Sequence, residues 1–303
     1  MDAPRSEIPA WIRSRLGERS PGRAALRVLR AVGTHPREMS YASTAAAAEL
    51  AGVNVATVVR AAQMLGVSGW PALRSEIRSR FLAGLSASQV LHEHGPMHEA
   101  DASGGGAPQG VALATLRQDL QNLRGLSALL DQEQITRTAQ MLCSARVSLV
   151  LGSGSFAAPG LQLAHLAATI GHDIRLHRVG GSALYNAVSL LRPGDCLVVF
   201  HIWRSPRELV NAVQVASDGG VHVILVTDQL SDGLTGAASE VLRVPSEGSS
   251  MFPSLVGAIT TVQAVIAEMV AIDPAGAATA SDRAEWLWRT FDIFPPPGDV
   301  TAE

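Results

Sequence analysis

Two stretches of the sequence carry residue types and spacings that could do chemistry. Gly152-Ser153-Gly154-Ser155 follows an apolar run at 147–151 and leads into a helical pattern over 161–170. In such a turn the glycines let backbone approach a ligand. The serines add hydroxyl donors, and the N–H groups opening the helix favour an anion. The third glycine of the dinucleotide fingerprint is missing unless Gly160 takes that place. The same residues would also make a tight strand-to-helix turn with no ligand.

The second stretch lies at 43–65. Ser43 can cap an alanine-rich helix, Gly52-Val53 is a short turn, and Asn54 can cap a second helix over 55–65. Two helices joined by such a turn form a helix-turn-helix, whose second helix enters the major groove of DNA. On that helix Val55, Val58, Val59, Ala62 and Leu65 form an inward stripe. Ala56, Thr57, Arg60 and Gln63 fall opposite, with Asn54 at the open end. Arg suits guanine, Asn or Gln adenine, and Thr a methyl group or phosphate. An ordinary helical hairpin would turn the same side chains to water. Charge favours DNA: residues 1–80 hold 12 Arg against 6 acids (+6), and 81–303 hold 12 Arg against 21 acids (−9).

Other chemistries are excluded by what is missing. All 24 basic residues are arginine, which removes Schiff-base and P-loop lysines. Cys143 and Cys196 are too few for a disulfide framework or a cysteine-rich zinc site, and they read as small buried apolar residues. His92, His94 and His98, with Glu93 and Glu99, lie in a stretch of small residues that fixes no ligand geometry, so no metal site is expected there. His165, His172 and His177 read as structural. Neither a cofactor nor a catalytic residue is expected.

The elements that must position these residues divide the 303-residue chain in two, at about 100–200 residues per domain. Helical spacing fills an all-α helix-turn-helix domain (1–83), with helices at 25–34, 44–51, 55–65 and 70–81. A small-residue linker with a triple glycine spans 84–110. Residues 111–273 alternate helices with buried strands at 147–151, 173–179, 196–200, 221–226 and 240–244, which predicts an α/β doubly wound, mostly parallel five-stranded sheet. Ligands bind such a sheet beyond the carboxyl ends of its strands. The tail, 274–303, carries Trp286, Trp288 and Phe291, expected to dock on a groove or a partner subunit. No uncharged apolar run approaches the ~20 residues of a membrane span, and the first residues lack a signal-peptide core. A cytoplasmic protein is expected.

These motifs, in this order over residues 20–270, resemble the RpiR family of bacterial transcription regulators. The resemblance rests on Ala48-Glu49-Leu50-Ala51, residues 53–60 and Leu65-Gly66-Val67-Ser68-Gly69-Trp70-Pro71. In the second half it rests on residues 151–155, 195–200 and Val226-Thr227-Asp228. It implies an N-terminal domain that binds a double-stranded DNA operator, joined to a SIS (sugar isomerase) domain that senses a sugar phosphate. It also implies pairing of SIS domains into a homodimer or homotetramer. After the third strand SIS domains usually carry Ser-x-Ser-Gly-x-Thr, which holds the phosphate. This chain reads His201-Ile202-Trp203-Arg204-Ser205-Pro206. Arg204 and Ser205 could stand in, since Arg pairs well with phosphate. The expected effector set is therefore Gly152, Ser153, Gly154, Ser155, Arg204 and Ser205. The rival reading is a sugar-phosphate isomerase, for which Glu247 and His201 are the nearest candidate bases.

Overall fold

The computed structural model describes residues 8–86, 88–90, 110–203, 206–230, 232–250 and 252–294. The N-terminal helices are α1 (Ala10–Leu16), α2 (Arg23–Thr34), α3 (Pro36–Tyr41), α4 (Thr44–Leu50), α5 (Val55–Met64) and α6 (Trp70–Gly84). Apolar spacing does not reveal α3. His35 ends α2, but Pro36, with its φ pre-set for a first helical turn, starts a new helix at once. Between α4 and α5 the chain bends by 95° through Gly52, at φ +62°. Ser43 accepts the Ala46 N–H at 3.1 Å, and Asn54 accepts the Thr57 N–H at 2.8 Å. Each such cap contributes about 1 kcal/mol. One core closes the bundle around Leu29, Val32, Val58, Ala62, Trp70 and Leu73. The buried Trp70 ring donates its N–H to the Ala42 carbonyl at 2.9 Å, so no polar group is stranded.

The second unit runs α7 (Val111–Ser127), α8 (Gln132–Ser144), β1 (Ser148–Leu151), α9 (Ala157–Thr169), β2 (Ile174–His177), α10 (Ser182–Ser189), β3 (Cys196–His201), α11 (Arg207–Asp218), β4 (His222–Thr227), α12 (Asp232–Thr235), β5 (Glu240–Arg243), α13 (Val256–Ile272) and α14 (Pro274–Thr290). The five strands are all parallel, in the order β2-β1-β3-β4-β5. Alternate strand residues divide between two cores. Val150, Val198, Phe200 and Ile224 pack under α8, α9 and α13, whereas Leu149, Leu197, Val199 and Leu225 pack under α10 and α11. Burial on both faces explains why β3 is buried at every position. Chain order reverses between β1 and β3, and that switch point opens a crevice beyond the strand ends.

Several expectations need correction. The sequence reading gave no helix for residues 182–189 or 274–290. The tail instead forms α14 and lies against α9, with Ser281 Oγ donating to the Thr169 carbonyl. Trp286 and Phe291 are 62% and 71% exposed rather than docked within the chain. Cys143 is only half-buried, and His177 Nε2 is buried without a hydrogen-bond partner. Burial pushes the Cys196 thiol up to about 12, which leaves it inert. Among the described residues no single helix is long and apolar enough to cross a membrane, and no cluster of His, Cys, Asp and Glu could hold a metal. The histidines at 92, 94 and 98 lie outside the described residues.

Candidate functional site

On α5 the exposed side chains are Asn54, Val55, Ala56, Arg60 and Gln63. Thr57, expected on that outer face, is only 6% exposed. Its hydroxyl donates to Asn54 Oδ1 at 2.8 Å and accepts from Arg60 Nη2 at 3.3 Å. Thr57 therefore holds two outward residues and does not present a free hydroxyl itself. Val55, expected in the inward stripe, is 47% exposed, and Ala61 takes up the buried face instead. Apolar type alone could not reveal the exchange, since the cap beside Thr57 satisfies its hydroxyl locally.

At the carboxyl end of β1, Gly152 meets the α9 turn so closely that a Cβ would lie 2.7 Å from the Ala157 Cα. Gly154, at φ +57°, opens a short 3-10 turn into α9. Ser153 is half-buried and Ser155 exposed. Gly160 does take the third-glycine role: a Cβ there would lie 2.8 Å from Val150 Cγ1 and 3.1 Å from Leu176 Cδ1, so it brings α9 close onto the sheet. Arg204 and Ser205 lie outside the described residues.

The segment after β3 is anchored on the far side of the switch point. Trp203 sits at φ +62°, a conformation that costs a non-glycine residue about 1–3 kcal/mol. Its N–H lies 3.2 and 3.3 Å from the two Asp228 oxygens, and its carbonyl accepts from Gln229 Nε2 at 2.6 Å. His201 is buried, with Nδ1 3.2 Å from Thr227 Oγ1, and burial pushes its pKa down.

Asp228, just past β4, is half-buried, and burial raises its carboxyl pKa. Hydrogen bonds from Ser246, Ser79 and the Trp203 N–H oppose that rise. Ser79 belongs to α6, so the N-terminal helical bundle docks directly on the carboxyl end of the sheet. Its neighbours reinforce the contact: Arg78 pairs with Glu247, and Arg80 donates to the Leu230 carbonyl. Buried Glu76 orients Arg80 and also takes Arg15, each at 3.1 Å. A small open cleft lies beside this contact, between α6 and the segments after β3, β4 and β5. None of residues 152–155 lines it. The Thr227-Asp228 pair was visible in the sequence, but its partner on α6, 149 residues away, was not.

Residues 24–83 match the helix-turn-helix domain of the rpiR family, and residues 141–272 match the SIS domain. The chain is 26% identical over 239 residues to the HTH-type transcriptional regulator HexR of Pseudomonas aeruginosa, covering 77% of this chain and 74% of that protein. It is 26% identical over 200 residues to the HTH-type transcriptional regulator RpiR of Escherichia coli, spanning 64% of that relative's length. The sugar isomerase domain of an RpiR transcription factor from Sphaerobacter thermophilus superposes with a TM-score of 0.56 at 27% identity, over 59% of this chain and 99% of that one. The Vibrio vulnificus NanR protein, solved with ManNAc-6P, shares the fold over 93% of this chain and 98% of its own, with a TM-score of 0.57 at 16% identity. The chain thus carries, in this order, a helix-turn-helix domain of the rpiR family and a SIS domain, and is similar to the transcriptional regulators HexR and RpiR.

Proposed function

We propose that α5 reads a double-stranded operator through Asn54, Ala56, Arg60 and Gln63, with Thr57 bracing the first and third of these. In this reading the SIS domain takes a small-molecule effector of the sugar-phosphate class. Gly152, Ser153, Gly154 and Ser155 hold it, and Arg204 and Ser205 supply what the altered segment after β3 lacks. The domain division is 1–83, 84–110, 111–273 and 274–303. The regulator works in the cytoplasm as a homodimer or homotetramer, because one helix-turn-helix reads few base pairs and two-fold pairing matches a palindromic site.

The observation that carries this reading is the direct seat of α6 on the sheet's carboxyl edge through Ser79 and Asp228. A ligand at that edge has a physical route to the DNA-reading helices. Against turnover by an isomerase, His201 is buried on Thr227 and Glu247 is paired with Arg78, so neither candidate base is poised for a substrate. The test is a gel shift with the DNA upstream of its own gene, with and without sugar phosphates, beside a turnover assay on the same compounds. A shift modulated by a sugar phosphate without turnover supports the reading; turnover without a shift overturns it.

A further inference from the structure

We infer that Val55 reads the 5-methyl group of thymine and so sets the base preference at one base pair under α5. The inference rests on the operator-reading role of α5 proposed above and names the base chemistry that its first turn recognises.

The first turn of a helix docked in this way is the part that reaches base edges. At the start of α5 the exposed side chains are Asn54, Val55 and Ala56. Asn54 has its acceptor engaged within the chain: Oδ1 takes both the Thr57 N–H and the Thr57 hydroxyl, each at 2.8 Å. An amide oxygen has two lone pairs, so both are used. Asn54 keeps only its amide N–H groups for a base. Two-point pairing with adenine, which needs the oxygen as well, is lost. Thr57, a residue type suited to a thymine methyl group, is buried, and its hydroxyl accepts from Arg60 Nη2 at 3.3 Å.

The polar atoms of this turn are thus paired with one another, and what it turns outward is apolar. Val55 is 47% exposed, with Ala56 exposed beside it. In the major groove the base pairs present donors and acceptors, and the apolar feature among them is the thymine methyl group.

Two properties make Val55 the reader rather than Ala56. Its side chain extends further from the helix, and its β-branch holds one strongly preferred χ1 rotamer, so little freedom is lost on contact. The same isopropyl group set against a donor or acceptor would desolvate it with no hydrogen bond in return, which disfavours the other bases. Burial of one methyl group favours binding by about fourfold.

The test is a cycle of substitutions in protein and DNA, read by anisotropy titration of the full-length protein at fixed salt. The probe is the duplex that footprinting defines upstream of its own gene. Its thymines are replaced one at a time by deoxyuridine, which removes the methyl group and nothing else. At one or more positions uracil should weaken wild-type binding about fourfold. Val55→Ala should bind the thymine duplex less tightly by a similar factor and lose nothing further with uracil at that position. Val55→Thr, which keeps one methyl group on the same branch, should retain part of the discrimination. Because the residue is exposed, both variants should unfold at the wild-type temperature. If no uracil position weakens wild type, or if Val55→Ala retains the whole penalty, this inference falls and the regulator reading stands. If wild type binds no duplex from that region, both fall.

Discussion

Ser79 Oγ donates to Asp228 Oδ2 at 3.0 Å and joins the last helix of the DNA-side bundle to the end of the fourth strand. The same oxygen takes Ser246 Oγ at 2.6 Å, and the Trp203 N–H reaches both carboxylate oxygens. One half-buried carboxylate therefore ties α6 to the segments that follow β3 and β5. Its two oxygens accept from three separate segments of the chain.

Removing the Ser79 hydroxyl strips one donor from a half-buried acid. Hydrogen bonds to charged groups contribute about 1.5–3 kcal/mol, so Ser79→Ala should loosen domain docking by that order. We expect a lower urea midpoint for the first transition and earlier cleavage between the domains by a protease. An unchanged midpoint would show that Arg78 and Arg80 carry the docking without it.

The pH dependence of His201 has a defined sign. Burial lowers its pKa, and so between the folded value and the ordinary value of about 6.5 the unfolded chain binds more protons. Stability rises with pH through that window and is lost as pH falls. Asp228 works in the opposite sense: burial raises its pKa, so its contribution falls as pH rises above the usual carboxylate range. Going from about pH 7.5 to about pH 5.5, wild type should lose more stability than His201→Gln, with Asp228 common to both. Equal losses in urea titrations would remove His201 from the account.

Gly160→Ala adds a methyl group 2.8 Å from Val150 Cγ1 in the core beneath α9. Overpacking of this kind costs about 1–3 kcal/mol, and because α9 carries the Gly152–Ser155 turn at its start, effector binding should weaken as well. Thermal unfolding and calorimetry on the one variant read both effects. A variant as stable as wild type would mean that the helix can shift outward freely.

Arg60→Ala should weaken operator binding and lower its salt dependence. Loss of one phosphate contact reduces the slope of log affinity against log salt by about one, whereas loss of a base contact costs about 1–3 kcal/mol at that base pair. Thr57→Val, which keeps the shape of the side chain but frees Asn54 and Arg60, should act in the same direction more weakly. Anisotropy titrations across a salt series check both, and an unchanged Arg60→Ala slope would place that side chain off the DNA.

What the chain determines by itself is local. Ser43 and Asn54 as caps, Gly52 as the turn, and alternating apolar runs that could only be strands buried on both faces are properties of neighbours, and spacing reveals them. The helix begun by Pro36 and the helices at 182–189 and 274–290 escaped, because weakly patterned segments take their form from what they pack against. The tertiary structure decided the rest. It turned Thr57 inward and Val55 outward, and made Gly160 a point of close approach between helix and sheet. Above all it seated Ser79 on Asp228, two residues 149 apart whose types say nothing of each other until packing removes the water between them.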